Sequence, residues 1–335
     1  MSYVEVIGSK TGVAQELISM MPTEAFGKLF IDLFAGGAGV FFAKDPAKIN
    51  ILNDCDRDIV CMHEAIQRNH RVVEKELCVL LNDQDTFFRL RDLRGSEEWE
   101  AMPAAQRAAA MVFLYKASVN SNQIALSSAS KNKSSFNPDL LLREYSVKLK
   151  RAELRSFHWE DCIDRYLYRS NPVEAFVLAD PPYVVADSAK YYRVNFHPVD
   201  HIRFWHGMTR LSKGNGLRRN VKIMITYDDD PLIRALYRET DGWRLQPLDM
   251  QYRAAQDSDT CRSEIVITNY EVSEVGGPHS TGDWSDVPHD RITVDGVPFD
   301  DLVCCEKETV ALMVSGNRKG ECRVCGKKVI AKEFC

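Results

Sequence analysis

An acid, two prolines and an aromatic ring follow the apolar run 176–179, as Asp180, Pro181, Pro182 and Tyr183. Both prolines lack an amide proton and have a fixed φ, so this segment cannot continue a central strand of a sheet. Such a rigid segment holds a carboxylate, outward-facing carbonyl groups and a flat ring in fixed positions. An exocyclic amine on a planar heterocycle needs two proton acceptors and a ring face for stacking. The alternative interpretation is a strand that ends in an ordinary Pro-Pro turn.

A glycine-rich segment at residues 34–39 (Phe-Ala-Gly-Gly-Ala-Gly) follows one predicted strand and precedes a helix. Glycines at such a turn let the backbone approach a ligand closely. Asp54 ends the next predicted strand, where an acid accepts the hydroxyls of a ribose in dinucleotide-binding folds. The glycine-rich segment and Asp54 together fit either a nicotinamide dinucleotide or S-adenosylmethionine as the cofactor. The spacing of the glycines departs from the dinucleotide-binding fingerprint. Asp54 has an alternative role as the cap of the following helix.

Strand patterns alternate with helical ones up to residue 269, which predicts a doubly wound, mostly parallel α/β sheet. Ligands of such sheets bind at the carboxyl ends of the strands, and the suspected clusters fall there. The predicted strands are 29–34, 49–52, 176–179, 221–226 and 263–269, with residues 243–252 as a hairpin partner of the last. The predicted helices are 13–20, 40–43, 59–81, 104–117, 140–154, 199–211 and 231–237.

The chain is expected to comprise a catalytic domain (residues 1–81 and 155–270) and three further parts. No strand is predicted between residues 82 and 154, which are interpreted as a helical insert that recognises the target. Residues 271–303 form an acidic linker, with ten acids and two bases between residues 271 and 309. Residues 304–335 form a small, zinc-ribbon-like tail.

Composition points to a globular protein: 335 residues, 45% hydrophobic, 27% charged and a net charge of −5. No stretch is long and apolar enough to span a bilayer, and the N-terminus lacks the pattern of a signal peptide. We therefore expect a cytoplasmic protein whose ten cysteines are thiols or metal ligands rather than disulfides.

Taken together, these segments resemble the Dam-like adenine-N6 DNA methyltransferases, a family common in phages and restriction-modification systems. The resemblance covers roughly residues 3–270, and the segments occur in the family's order, with the insert ahead of the catalytic motif. The matching segments are Gly8-Ser9-Lys10, residues 32–42, Leu52-Asn53-Asp54, residues 158–161, residues 180–183 and residues 262–270.

The resemblance implies that a methyl group passes from S-adenosylmethionine to N6 of an adenine flipped out of double-stranded DNA. Tyr183 would stack on the base, while Asp180 and the Pro181 carbonyl would accept the two amine protons; Pro182 completes the catalytic motif. The implied cofactor-binding residues are Val6, Gly8, Ser9, Lys10, Asp32, Phe34, Ala35, Gly36, Gly37, Asp54, Asp161 and Asp180.

Four positions depart from the family. Ala38 stands where the family often has glycine, and Val6 stands where close relatives have a tryptophan. Asp32-Leu33 replaces the commoner Glu-Pro, which retains the carboxylate. The insert matches the family only loosely, so the resemblance does not imply a target sequence.

Two basic stretches, residues 131–155 and 210–222, are expected to contact DNA phosphates. Polar side chains near the start of the insert are candidates for reading base edges. The alternative is that these residues are merely solvated. The predicted DNA-binding residues are Lys116, Asn120, Asn122, Lys131, Lys133, Arg143, Arg218 and Arg219. A cognate restriction endonuclease is a further expected partner.

The tail contains Cys322-x2-Cys325 followed by a glycine, and it ends at Cys335. A Cys-x2-Cys-Gly segment is a frequent half-site for zinc, which needs four ligands. Cys304, Cys305 or a histidine would supply the fourth ligand. A tail that has lost its metal is the alternative.

Two rival functions remain at this stage. An RNA base N-methyltransferase, acting on guanine N2 or adenine N6, uses a similar catalytic motif, but the Gly-Ser-Lys segment and the long insert argue against it. A non-catalytic DNA-binding protein on the same scaffold would not need Asp54, Asp180 and Tyr183, which are all present.

Overall fold

The structure is a computed structural model. It describes residues 10–80, 84–118, 139–169, 174–184, 196–214, 220–248 and 264–272, and the backbone of 293–294, 297–298, 319–321 and 328–330. The chain divides into two compact units, Met1–Ala179 and Asp180–Cys335.

Four parallel strands form the sheet of the first unit. In sheet order they are β3, β2, β1 and β4, and Ile31 of β1 lies opposite Ile51 of β2 and Val177 of β4. These three side chains are fully buried, as expected for a parallel sheet that is covered on both faces. The strands are β1 (Leu29–Asp32), β2 (Ile49–Asn53), β3 (Ala152–Arg155) and β4 (Glu174–Ala179).

Helices make up most of the rest of this unit, and several begin at capping side chains. Asp56 accepts the N–H of Asp58 and Ser96 accepts the N–H of Trp99, so each satisfies an end of a helix. A 3₁₀ turn, Lys10–Val13, precedes the first helix, and a π-helical turn, Asp164–Arg169, follows the last. The helices are α1 (Ala14–Ser19), α2 (Gly39–Ala43), α3 (Arg57–Cys78), α4 (Gln84–Leu93), α5 (Glu97–Ala101), α6 (Ala104–Ala117), α7 (Asp139–Leu149) and α8 (Trp159–Ile163).

One expectation about the insert was wrong. Residues 82–154 were expected to contain no strand, but Ala152–Arg155 pairs in parallel with β2. The segment Ala-Glu-Leu-Arg alternates apolar and charged residues over only four positions, and these good helix formers continue the predicted helix 140–154, so the alternation was not recognised as a strand. Pairing at the sheet edge decides its conformation. The rest of the described insert is helical, in α4 to α7.

The second unit contains an antiparallel arrangement in the order β5-β7-β6. The expected hairpin partner of the last strand is confirmed, since Leu245 lies opposite Ile267. The fully buried Tyr227, Trp243 and Tyr237 form much of its core. Its elements are α9 (Pro198–Ser212), β5 (Asn220–Asp228), α10 (Pro231–Leu236), β6 (Arg244–Leu248) and β7 (Glu264–Thr268).

The predicted α/β class is therefore confirmed, with parallel pairing in the first unit and antiparallel pairing in the second. Beyond residue 270, two short antiparallel pairs are described: β8 (Thr293–Val294) with β9 (Val297–Pro298) in the predicted acidic linker, and β10 (Lys319–Glu321) with β11 (Lys328–Ile330) in the predicted tail. Among the described helices, none combines the length and the apolar character needed to cross a membrane.

Candidate active site

The glycine-rich loop leaves the carboxyl end of β1 in a sharp turn. The N–H of Leu33 donates to the carbonyl of Leu178 on β4, and the N–H of Ala35 donates to the carbonyl of Asn53 on β2. Gly36 has φ of 47° and Ala38 has φ of 53°, both in the left-handed region. Glycine adopts that region freely, whereas alanine at position 38 is strained there. The loop thus turns directly onto the start of α2.

Gly39, the first residue of α2, is required by packing. A Cβ atom at this position would lie 2.6 Å from Oγ1 of Thr11. Thr11 belongs to the 3₁₀ turn Lys10–Val13, in which Lys10 is buried. The glycine therefore lets this turn lie directly against the start of the helix.

Asp54 holds the glycine-rich loop from the end of β2. Its Oδ2 accepts the N–H of Gly36 at 2.8 Å, and its Oδ1 accepts the N–H of Asp56 at 2.8 Å. Desolvation by the surrounding protein raises the pKa of Asp54 to about 7, and the Asp56 carboxylate adds to this effect. Asp54 as a whole residue is partly accessible. These contacts place the carboxylate beside the loop, and its role in binding a ribose stays a prediction.

His63 on α3 fixes the same loop from behind. Its Nε2 lies 2.8 Å from the carbonyl oxygen of Gly36. Because burial lowers the pKa of His63 to about 4, the imidazole is neutral near pH 7. A carbonyl oxygen only accepts, so Nε2 carries the proton and donates.

Asn53 ties three strand ends together. Its Nδ2 donates to the carbonyls of Leu33 and Phe157 at 3.1 and 3.0 Å, and its Oδ1 accepts the N–H of Phe157 at 3.0 Å. Asn53 is 1% exposed. It therefore fixes the loop after β1 relative to the segment that follows β3.

In the second unit, β5 organises the predicted catalytic segment. Oγ1 of Thr226 lies 2.6 Å from Oδ1 of Asp180, and the Tyr183 hydroxyl lies 3.4 Å from the same oxygen. The N–H of Val184 donates to Oδ1 of Asp228 at 3.3 Å. The end of β5 thus contacts both ends of the segment.

Buried aromatic rings support Tyr183 from below. The rings of Tyr183 and Tyr227 are 6.2 Å apart, and Nδ1 of His201 lies 2.9 Å from the Tyr227 hydroxyl. Burial raises the pKa of Tyr227 well above its ordinary value and lowers the pKa of His201 to about 3. This layer is therefore uncharged near neutral pH. Tyr183 itself is half-buried.

The predicted cofactor residues of the first unit gather mainly at one sheet edge. Asp32 is buried at the end of β1, and residues 34–37 form the loop beside Asp54. Asp161 is exposed in the first turn of α8. Val6, Gly8 and Ser9 lie outside the described residues.

Of the predicted DNA-binding residues, Lys116 at the end of α6 and Arg143 on α7 are exposed. The others lie outside the described residues, namely Asn120, Asn122, Lys131, Lys133, Arg218 and Arg219. So do Cys322, Cys325 and Cys335, and zinc stays a prediction. Within the part of the chain that the structure describes, no group of three or more His, Cys, Asp or Glu side chains is arranged for a metal ion.

Three supporting residues were not predicted from the sequence: Thr226, which contacts Asp180, His63, which contacts Gly36, and Arg94, whose guanidinium donates to Asp56 beside Asp54. Thr226 had a signal, because it ends the predicted strand 221–226. His63 and Arg94 had none, since each reaches its partner only through the packing of helices.

Comparison with known proteins gives one family. The family model for D12 class N6 adenine-specific DNA methyltransferases matches residues 7–248, well over half of the chain. No curated protein sequence matches significantly. Among solved structures, the rRNA methyltransferase aviRa from Streptomyces viridochromogenes is similar, with 12% identity, a TM-score of 0.31 and coverage of 80% of this chain and 88% of that one.

Proposed function

Because the chain belongs to the family of D12 class N6 adenine-specific DNA methyltransferases, we propose that its Asp180–Tyr183 segment binds the adenine that is methylated. In this proposal Tyr183 stacks on the base, and Asp180 with the Pro181 carbonyl accepts the protons of the exocyclic amine. The observation that carries the proposal is the 2.6 Å contact between Thr226 and Asp180.

That contact defines how the carboxylate acts. The Thr226 hydroxyl donates to Oδ1 of Asp180, which fixes rotation of the carboxylate and hence the direction of Oδ2. An adenine amine is a poor nucleophile because its lone pair is delocalised into the ring. Acceptors at both amine protons draw the nitrogen towards tetrahedral geometry and expose the lone pair. Most of the acceleration then comes from positioning and electrostatics.

The residues of the first unit fit S-adenosylmethionine, the methyl donor of this family. Each carboxylate oxygen of Asp54 accepts one backbone N–H, which fixes the plane of the carboxylate. A carboxylate so held suits the two adjacent hydroxyl groups of a ribose. The half-buried Gly36 leaves the backbone open to close approach. When bound, the cofactor supplies a methyl carbon attached to a positively charged sulfur.

The Asp180 carboxylate also has a role after transfer. When the lone pair of N6 forms the new bond to carbon, the nitrogen becomes positively charged and must lose a proton. Asp180 is placed to accept that proton and pass it to water. The bonding pair of the broken sulfur–carbon bond stays on sulfur, so charge and atoms balance.

DNA is the substrate of this family. We propose that the exposed Lys116 and Arg143 of the target-recognition insert contact double-stranded DNA, together with the basic stretches 131–155 and 210–222, the second of which lies outside the insert. Extrusion of the adenine costs a few kcal/mol, which these contacts offset. A cognate restriction endonuclease and a phage or bacterial setting belong to the same proposal.

The test uses the full chain, unmethylated plasmid DNA and S-adenosylmethionine labelled in its methyl group. Mass spectrometry of the digested nucleosides should find the label in N6-methyldeoxyadenosine. Asp180→Ala should reduce transfer by about a thousandfold or more, because it removes the oriented acceptor. The variant should still bind the cofactor in calorimetry.

Glu271→Ala is the control, since it removes an exposed carboxylate outside the insert that pairs with Arg244 at the surface. It should transfer methyl groups at the wild-type rate. A parallel reaction replaces the plasmid with total RNA. Wild-type turnover by Asp180→Ala, or label that enters the RNA but not the DNA, would contradict the proposal.

A further inference from the structure

A buried arginine lies between two carboxylates next to Asp54. Nη2 of Arg94 lies 2.6 Å from Oδ2 of Asp56, and Nε lies 2.8 Å from Oδ2 of Asp58. The Arg94 side chain is only 9% exposed. Trp99 donates from Nε1 to the other oxygen of Asp58 at 2.8 Å. Arg94 precedes α5 and therefore comes from the stretch predicted to recognise DNA.

Asp56 connects this arginine to the ribose-binding acid. Its backbone N–H donates to Oδ1 of Asp54 at 2.8 Å, and its side-chain Oδ1 accepts the N–H of Asp58 at the start of α3. Its other side-chain oxygen accepts from Arg94. Arg94 thus restrains Asp56, whose backbone N–H donates to the Asp54 carboxylate.

The charges around Asp54 explain why a cation is needed here. Three carboxylates, those of Asp54, Asp56 and Asp58, occur within five residues. Arg94 offsets them, and its charge lowers the pKa of Asp54 whereas Asp56 raises it. The nearby Cys55, with a pKa raised to about 12, and the buried His63 are uncharged at neutral pH. The phenol of Tyr115 on α6 faces Arg94.

We propose that Arg94 is a positioning residue for cofactor binding, which holds Asp56 and through it the Asp54 carboxylate in the orientation that accepts the ribose hydroxyls. Its positive charge also favours the ionised form of Asp54. The inference rests on the proposed function of Asp54. It makes cofactor affinity depend on a residue of the target-recognition stretch.

The charge effect predicts a pH dependence with a definite sign. Acceptance of two hydroxyl donors requires ionised Asp54, so cofactor affinity falls as the pH drops through the pKa of Asp54, which is about 7. Loss of the Arg94 charge raises that pKa further. The midpoint of the affinity profile should then move to higher pH.

The experiment is calorimetric titration of S-adenosylmethionine into the full chain between pH 6 and pH 9. Arg94→Gln, which removes the charge, should shift the midpoint upwards by about one pH unit and weaken binding about tenfold below it. Arg94→Lys keeps the charge but loses the two-point contact. It should keep the wild-type midpoint and bind about threefold more weakly at pH 9.

Arg107→Gln is the matched control, because Arg107 is a partly buried arginine on α6 that pairs with Glu100. Its profile should match the wild type. A wild-type midpoint in Arg94→Gln would overturn the inference. If circular dichroism shows that Arg94→Gln does not fold, Arg94→Lys decides: wild-type affinity at pH 9 would overturn the positioning role.

Asp54→Asn separates this inference from the proposed function. If Asp54 binds the ribose, this variant loses cofactor affinity at every pH. Wild-type binding by Asp54→Asn would refute the role of Asp54 and the inference with it. Lost binding in Asp54→Asn together with a wild-type profile in Arg94→Gln refutes the role of Arg94 alone.

Discussion

The hydroxyl of Thr226 donates to a carboxylate oxygen of Asp180 across 2.6 Å, and Thr226 is fully buried. A carboxylate oxygen that accepts from a fixed hydroxyl loses rotational freedom. This property suits the proposed role of Asp180, an acceptor that must meet an amine proton at one orientation. In that proposal Thr226 acts on the substrate only through Asp180.

Thr226→Val should reduce kcat about 10- to 100-fold, because a hydrogen bond to a charged group contributes about 1.5–3 kcal/mol. Cofactor affinity, measured by calorimetry, should not change. Thr226→Ser keeps the hydroxyl and should keep most of the activity. Thr268→Val removes an equally buried threonine hydroxyl, one that donates to the Tyr270 carbonyl, and serves as the control. Equal kcat values for the Thr226→Val and Thr268→Val variants would argue against the positioning role.

Asn53 and Asn50 form a matched pair at opposite ends of β2. Each is buried, and each donates from Nδ2 to two backbone carbonyls and accepts one backbone N–H. Replacement by Asp turns the donor into an acceptor that faces carbonyl oxygens, at a cost of about 1–3 kcal/mol or more in the free energy of unfolding.

Both Asn53→Asp and Asn50→Asp should therefore lower the stability measured by urea denaturation. Only Asn53→Asp should also weaken binding of S-adenosylmethionine, because only Asn53 holds the loop that precedes Gly36. An equal loss of cofactor affinity in the two variants would show that general destabilisation explains the effect.

Ala38→Gly should stabilise the protein, because alanine at φ 53° and ψ 34° carries a strain of about 1–2 kcal/mol. The greater freedom of glycine in the unfolded chain offsets about 0.4–1 kcal/mol of this gain. The melting temperature should rise by about 1–4 °C. Ala43→Gly, at the end of α2 with an ordinary φ, should lower it instead. A lower melting temperature for Ala38→Gly would mean that the left-handed conformation is not strained.

His63 should make stability fall in acid. The pKa of His63 is about 4 in the folded state, below its usual value of 6.5, so only the unfolded chain takes up this proton between those values. The contribution of neutral His63 to the free energy of unfolding is fully present above about pH 6.5, and it is lost as the pH falls towards 4. The loss from this one side chain at pH 5 is about 2 kcal/mol.

His63→Gln retains a donor for the Gly36 carbonyl but does not titrate. The free energy of unfolding of each protein is measured by urea denaturation at pH 7 and at pH 5. Its decrease between the two pH values should be about 2 kcal/mol smaller in His63→Gln than in the wild type. His201, whose pKa is also lowered, contributes the same acid sensitivity to both proteins. An identical fall in the two proteins would exclude His63 as a source.

Much of the fold was accessible from hydrophobic patterning. The apolar runs of β1, β2 and β4 and the continuously apolar stretch 108–115 of α6 were predicted nearly to their ends, because burial on all sides leaves a strong signal. β3 was missed, since an edge strand of four residues with alternating burial carries little pattern. Family membership confirms the resemblance that the ordered motifs indicated.

The candidate site was predicted where its residues are close in sequence to a strand end, as for Gly36, Asp54 and Asp180. The supporting contacts were not predictable in the same way. His63 approaches the loop from α3, and Arg94 approaches Asp56 from the turn between α4 and α5; their partners are 27 and 38 residues away along the chain. Such pairs depend on helix packing, which a single sequence does not reveal.

The contacts of Gly36 have a consequence for the thermodynamics of cofactor binding. Its N–H donates to Asp54 and its carbonyl oxygen accepts from His63, so both groups are bonded within the protein itself. A loop that is preorganised in this way loses little conformational entropy when a ligand arrives, so more of the interaction energy appears as affinity. The Gly36 amide proton should accordingly exchange slowly with solvent deuterium even in the cofactor-free protein.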